Sequence, residues 1–170
     1  FVADYSGQRI RKVTVAGVVT TVAGNGAAGL TNGDAKQARF NYPWSLKVDL
    51  AGRIFVADRN NHRIRMIEKD IVTTVAGVAA GFVDGTSATA RFTYPTGIAM
   101  DTAGVMHVSD WSNHRIRKIV VTGGACSISA VCWSQGSSNP ANSCQMCGSA
   151  PKAWSTAKDA TTCSDGKPCT

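Results

Sequence analysis

The sequence predicts an all-β fold: a partial β-propeller of about two and a half four-stranded antiparallel blades, then a small disulfide-rich, loop-rich module. Three observations carry this. A phrase recurs as "DYSGQRIR" at 4–11, "DRNNHRIR" at 58–65 and "DWSNHRIR" at 110–117. A longer one, "ARFNYPWSLKVDLAGRIFVAD" at 38–58, returns as "ARFTYPTGIAMDTAGVMHVSD" at 90–110, and "TTVAG" occurs at 20–24 and 73–77; the period is 52–54 residues, in the range of propeller blades. All six cysteines lie after residue 125, which divides the chain into a repeat segment, 1–124, and a Cys-rich module, 125–170.

Within the central unit four strands are expected, at Ser45–Val48, Arg53–Ala57, Arg63–Ile67 and Val72–Ala76. Each is rich in Val, Ile or Ala, and Asp-, Asn- and Gly-bearing turns at 49–52, 58–61 and 68–70 separate them. "RIFVAD" and "GIAM" are apolar on both strand faces, as stacked sheets require. Before each Tyr-Pro, "NGDAKQARF" and "DGTSATARF" predict a helical turn, capped by Asp34 or Ser87 and stopped by Pro43 or Pro95. The chain supplies strands two to four of a first blade, a whole second blade, and strands one to three of a third.

The phrase itself reads as a turn. Asp4, Asp58 and Asp110 stand where a carboxylate accepts from the turn that follows. Gly7, Asn61 and Asn113 share the fourth position. Gly and Asn both tolerate positive φ, so these three are expected to be left-handed. In "RIR", Ile64 or Ile116 is expected to face a neighbouring sheet, with the flanking arginines on the other side.

The combined pattern, TVAG…G…DG…ARF…YP.GIA.D..G…V.D..NHRIRK, resembles the NHL repeat family over residues 1–121. The resemblance implies a circular array, typically of six blades. Ten expected strands cannot close such a ring. A protein partner, or the remainder of the same polypeptide, is therefore expected to complete the propeller; head-to-tail self-assembly into a fibre is the alternative.

The tail places Cys126, Cys132, Cys144, Cys147, Cys163 and Cys169 in 45 residues with little aliphatic content. Such a segment gains its stability from disulfides. Cys144-Gln-Met-Cys147 has the spacing of a zinc knuckle, but no second pair of that spacing and no His accompany it. Disulfides are favoured over metal, and their pairing stays open. The tail resembles small Cys-rich modules of extracellular proteins, which implies an extracellular or cell-surface location.

Net charge is +7, and residues 1–125 hold 15 Lys and Arg against 9 Asp and Glu. Much of this excess is the recurring "RIR", so a structural role is expected for it ahead of a binding patch. Nucleic acid is disfavoured because no aromatic stacking platform is evident. No catalytic set, metal site or cofactor motif stands out. His62 and His114 occupy one repeat position, and His107 is expected to pack within a strand. Some NHL-like propellers are lyases holding a metal through inner-strand histidines, but Leu46–Val48 and Ile98–Met100 contain none. No apolar run approaches a membrane span. The chain starts at Phe1 inside the repeated phrase and reads as part of something longer. The function expected is a non-enzymatic extracellular structural or adhesion segment mediating protein–protein interaction. The alternatives are an RNA-binding NHL domain, and an NHL-type extracellular lyase or vestigial enzyme.

Overall fold

The computed structural model describes residues 1–120 and a short strand at 131–132, all within one unit of the chain, Phe1–Ser134. Three antiparallel sheets follow one another along the sequence. The first holds β1 (Val2–Asp4), β2 (Arg9–Val13) and β3 (Val19–Ala23) in that order. The second contains β4 (Gly33–Asp34), β5 (Pro43–Val48), β6 (Ile54–Asp58), β7 (Arg63–Glu68) and β8 (Ile71–Ala76), ordered β4-β8-β7-β6-β5. The third contains β9 (Pro95–Met100), β10 (Val105–Asp110), β11 (Arg115–Val120) and β12 (Val131–Cys132), ordered β12-β11-β10-β9.

Two strands depart from the expected three-four-three count. β4 pairs with β8, giving the middle sheet a fifth strand. β12 pairs with β11 through Ile119 and Lys118, so the third sheet has a fourth strand drawn from beyond Gly123-Gly124. Cys132 lies in that strand; Cys126, Cys144, Cys147, Cys163 and Cys169, and the bridges expected of all six, lie outside the described residues.

The core lies between sheets. Ile10, Ala23 and Phe40 pack with Ile54, Val56, Ile67 and Val72 between the first and second. Phe55, Ala57, Ile64 and Val75 pack with Phe92, Met106, Val108 and Ile119 between the second and third. Each connector seats itself on the sheet that follows. Ala28 bridges Phe40 and Ala80 bridges Phe92 in parallel. Asp34 Oδ1 caps the first connector's turn, accepting from the N–H groups of Lys36 at 2.9 Å and Gln37 at 3.2 Å. In the second connector Thr86, not Ser87, stands at this place: the Ala90 N–H donates to its carbonyl, as that of Ala38 does to Asp34. The period of 52 maps Asp34 onto Thr86.

The repeated turn corrects the expectation for Gly7, Asn61 and Asn113. The left-handed residue is the next one: Gln8 (φ 55°), His62 (φ 58°) and His114 (φ 54°). Residues Arg59–Asn61 and Trp111–Asn113 wind into a single 3-10 turn, and the residue after it caps the turn in the left-handed region. Histidine is among the residues that tolerate that region. Asn61 lies inside the turn and donates from Nδ2 to Asp58 Oδ2 at 2.7 Å and to the Gly29 carbonyl at 2.6 Å. Asn113 does the same to Asp110 and Gly81 at 2.8 and 2.9 Å. In the first copy the backbone N–H of Gly7 donates to Asp4 Oδ1 at 3.0 Å, and a Cβ at Gly7 would run into that carboxylate.

Arg65 and Arg117 are almost completely buried, which simple strand alternation does not predict. A register shift at Ile64/Arg65 interrupts the β7–β8 ladder there. Arg65 donates to Asp58 Oδ2 at 2.7 Å, to the Arg39 and Thr31 carbonyls at 3.1 and 2.8 Å, and to Asn32 Oδ1 at 2.7 Å. Its guanidinium lies 5.1 Å from the Phe40 ring. Arg117 repeats the arrangement with Asp110 at 2.9 Å, Arg91, Val83 and Asp84. Burial pushes the Asp58 carboxyl above its usual range and Arg65 below its own, against the opposing pull of Asn61, the Asn41 N–H and the pair's mutual attraction. The repeated charge is thus an internal staple.

Candidate binding surface

The staple does not use the position after the Asp, which is exposed in the first and third copies and half-buried in the second. It is Tyr5 in the first copy, Arg59 in the second and Trp111 in the third. Beside it stands the Tyr-Pro that opens each inner strand, Tyr42 before β5 and Tyr94 before β9. Both tyrosines are left-handed, each at φ 53°, a costly conformation for a bulky residue. Each is held there by the preceding blade. The Tyr42 N–H donates to Gln8 Oε1 at 2.6 Å, and the Tyr94 N–H to His62 Nδ1 at 3.1 Å. Gln and His thus share a task at this position: each presents an acceptor to the next repeat. Burial, with Arg63 and Arg59 nearby, lowers the pKa of His62 despite the opposing charge of Asp110. That keeps Nδ1 free to accept.

These turns build a chain of planar groups across all three sheets. Tyr5 lies 4.6 Å from Tyr42 and meets Trp44 edge-on at 5.3 Å. The Arg59 guanidinium carbon lies 5.4 Å from the Trp44 ring, 4.7 Å from Tyr94 and 5.4 Å from Trp111. His62 lies 4.7 Å from Tyr94. Trp44 is 52% exposed and Trp111 58%. The expectation that no aromatic platform exists is therefore corrected. Its members are far apart in sequence, but Tyr5, Arg59 and Trp111 fall at one repeat phase, and aligning the copies at that phase is the signal that could have found them.

The repeat does not require these side chains. Asp and the second Arg of "RIR" are constant in all three copies, and Asn61 and Asn113 recur in the two whose Arg is buried, because they hold the turn. The position after Asp varies among Tyr, Arg and Trp, and Trp44 corresponds to Thr96. Large aromatic groups exposed at positions that the fold leaves free are the mark of a contact surface.

Other candidates are weaker. His107 is exposed on β10 and not packed as expected, and His114 is exposed beyond the third turn. A depression between the hairpin turns at 49–52 and 101–104 is lined by Lys47, Asp49, Arg53, Met100 and Asp101. Three of its charges are committed: Arg53 Nε pairs with Asp49 at 2.6 Å, and Asp101 accepts from the N–H groups of Ala103 and Val105 at 2.9 Å. Among the described residues no three His, Cys, Asp or Glu are placed to hold a metal, and no helix is long and apolar enough to cross a membrane.

A family model of the NHL repeat matches residues 40–66. NHL repeat-containing protein 2 of Gallus gallus is 38% identical over 81 residues, covering 46% of this chain and 11% of that protein. The protein suppressor of quenching 1, chloroplastic, of Arabidopsis thaliana is 39% identical over 69 residues, covering 40% of this chain and 6% of its own. Among solved structures, a protein of unknown function from Bacteroides thetaiotaomicron superposes with TM-score 0.65 at 27% identity, over 68% of this chain and 30% of that one. An auxiliary nutrient binding protein from the same organism superposes with TM-score 0.58 at 28% identity, over 66% of this chain and 32% of that one. The chain spans 6–16% of the length of the curated relatives it matches and about a third of these structures. Residues 40–66 are thus similar to an NHL repeat, and the sheets form a propeller-like all-β array.

Proposed function

We propose that this segment is a non-enzymatic binding module, a portion of an NHL propeller that engages a protein partner through the surface around Trp44, Arg59 and Trp111. The observation that carries the reading is the exposure of two tryptophans at positions the repeat does not need. Tryptophan, tyrosine and arginine are the residues that dominate protein contact energetics. The NHL repeat of the relatives supports an interaction role.

The finer reading is an extracellular or cell-surface structural or adhesion protein, with the Cys-rich module held by disulfides. The confinement of all six cysteines to the last 45 residues supports it. Titration of the denatured, unreduced chain should find no free thiol; six free thiols would overturn the location. The exposed outer faces, with Val2, Val13 and Val19 at one end and Ile116 at the other, support completion of the propeller by further blades from the same polypeptide or a partner.

A second reading, a single-stranded nucleic acid surface, draws on the same rings, because bases stack on aromatic platforms. One experiment addresses both. Displayed peptides selected on the wild-type chain should lose binding to a Trp44→Ala, Trp111→Ala variant that keeps its circular dichroism. Peptides that bind both alike, or an oligonucleotide that alone binds the surface, would overturn the protein-interaction reading.

A further inference from the structure

Arg59 is a charge without a counter-charge. Arg53, Arg65 and Arg117 each reach a carboxylate within 3 Å. Arg63, in the same turn, is occupied by the Asn61 and Val78 carbonyls at 3.0 and 2.6 Å. Among the described residues Arg59 has one polar partner, the Asn60 Oδ1 at 2.9 Å, and its Nε is buried without any. Three rings surround it instead. They fix the guanidinium plane and remove part of its hydration, so an arriving carboxylate meets an oriented, partly desolvated fork.

The flanking surface has a definite scale. Both indole centroids lie 5.4 Å from one carbon, so they are at most 10.8 Å apart, twice that distance. A polyproline II chain advances about 9.3 Å per three-residue turn. Residues one turn apart therefore reach both indoles, with the intervening side chains over Arg59. Neither indole N–H and none of the tyrosine hydroxyls has a hydrogen-bond partner among the described residues. Such donors suit the free carbonyls of a chain that makes no internal hydrogen bonds.

We propose that Trp44, Arg59 and Trp111 form a docking site for an acidic, proline-containing peptide in polyproline II form, its prolines on the two indoles and its carboxylate on Arg59. This rests on the protein-interaction reading and names the partner's chemistry. A single unpaired cation amid the rings matches one carboxylate. A nucleic acid strand presents a phosphate at every step and calls for several cations. The neighbouring His62 does not add one, since its pKa is lowered.

The test uses the full chain and fluorescein-labelled synthetic peptides with a Glu between two Pro-Pro pairs, read by anisotropy. Saturable binding is expected, and replacing the peptide's Glu by Gln should weaken it about tenfold or more. Arg59→Gln should weaken the Glu peptide by a similar factor and leave the Gln peptide unchanged, because carboxylate and guanidinium act as one pair. Trp111→Ala should weaken both peptides. Equal affinity of the wild-type chain for the Glu and Gln peptides overturns the proposal, and that arm needs no variant to fold. Preferential binding of a single-stranded oligothymidylate, with a steep loss as salt rises, also overturns it. If neither proline peptide binds but selected peptides of other composition need Trp44 and Trp111, the ligand class is wrong and the interaction reading stands. If none bind, both fall.

Discussion

Ile64 and Ile116 occupy the same place in nearly the same phrase, and their surroundings are opposite. Ile64 is completely buried between the second and third sheets, whereas Ile116 is 59% exposed on the outer side of the third. At the next position, Arg65 and Arg117 are both buried and both paired. The phrase thus encodes two kinds of stability. The arginine staple is made within a repeat and is present in each repeat that has its own connector. The isoleucine contact is made between repeats and exists only where a neighbour stands. The first copy shows the converse. Ile10 is buried because a second sheet covers it, but among the described residues Arg11 meets no connector of its own and pairs with Asp4 alone, at 3.4 Å, with the two side chains 31% and 35% exposed.

The largest expected effect tests the internal staple. Arg65→Met and Arg117→Met each leave a carboxylate buried without its partner and should cost about 3–5 kcal/mol. Arg11→Met should cost less than about 1 kcal/mol, because that pair is solvated. Equal losses at all three sites by chemical denaturation would break the distinction. Next in size, Ile64→Ala should cost about 2–5 kcal/mol through lost burial and a cavity between sheets. Ile116→Ala should stay within about 0.5 kcal/mol. A large loss at Ile116 would mean that its exposed face is covered in solution.

A smaller effect concerns the bond between blades at His62. Its folded pKa is lowered from 6.5, so the unfolded chain binds the proton more tightly. The stability linked to the neutral ring is complete above pH 6.5 and is lost as pH falls through the lower folded value. His62→Gln installs the acceptor that Gln8 already provides and should remove this part of the acid sensitivity. Parallel melting-temperature profiles from pH 7.5 to 5 for the two proteins would refute the link. The smallest effect is expected of Gly7→Asn, which converts the first turn to the form of the other two. Asp4 is partly exposed and free to swing toward the new amide, so the change should stay within about 0.5 kcal/mol in either direction.

The strands were legible because Val- and Ile-rich runs alternate with Asp and Gly turns at a fixed period. The observed β5, β7 and β8 lie within two residues of their expected bounds. β4 was hidden because Gly33 and Asp34 have no intrinsic strand preference; their pairing with Val72 and Ile71 is imposed by where the connector lands. The left-handed residue was misplaced by one because backbone preference pointed to Gly and Asn. Asn61 is instead used for its amide, which clamps Asp58 to the Gly29 carbonyl. The binding surface was hidden for a different reason. Tyr5 and Trp111 sit at opposite ends of the described chain and approach one another only through Tyr42, Trp44, Arg59 and Tyr94, so no window of sequence contains the site.

Among the described residues every hydrogen-bond partner of Arg65 falls from Thr31 to Asp58, and every one of Arg117 from Val83 to Asp110. The connector that an arginine grips is the one immediately upstream of its own sheet. A unit cut just before the connector and just after the outermost strand therefore carries its staple complete, while a cut between sheet and connector would strand a guanidinium in an apolar interior. Tandem duplication in that frame adds a blade without breaking a buried charge pair. Among the described residues the joints a new copy must remake include surface-to-surface contacts, a Tyr N–H received by the acceptor that follows the preceding turn, and an arginine that reaches a carbonyl of the next connector, as Arg9 does at Asn25 and Arg63 at Val78. Lengthening of the array is thereby a low-risk genetic event, and residues on the outward side of each turn are free to diverge from copy to copy.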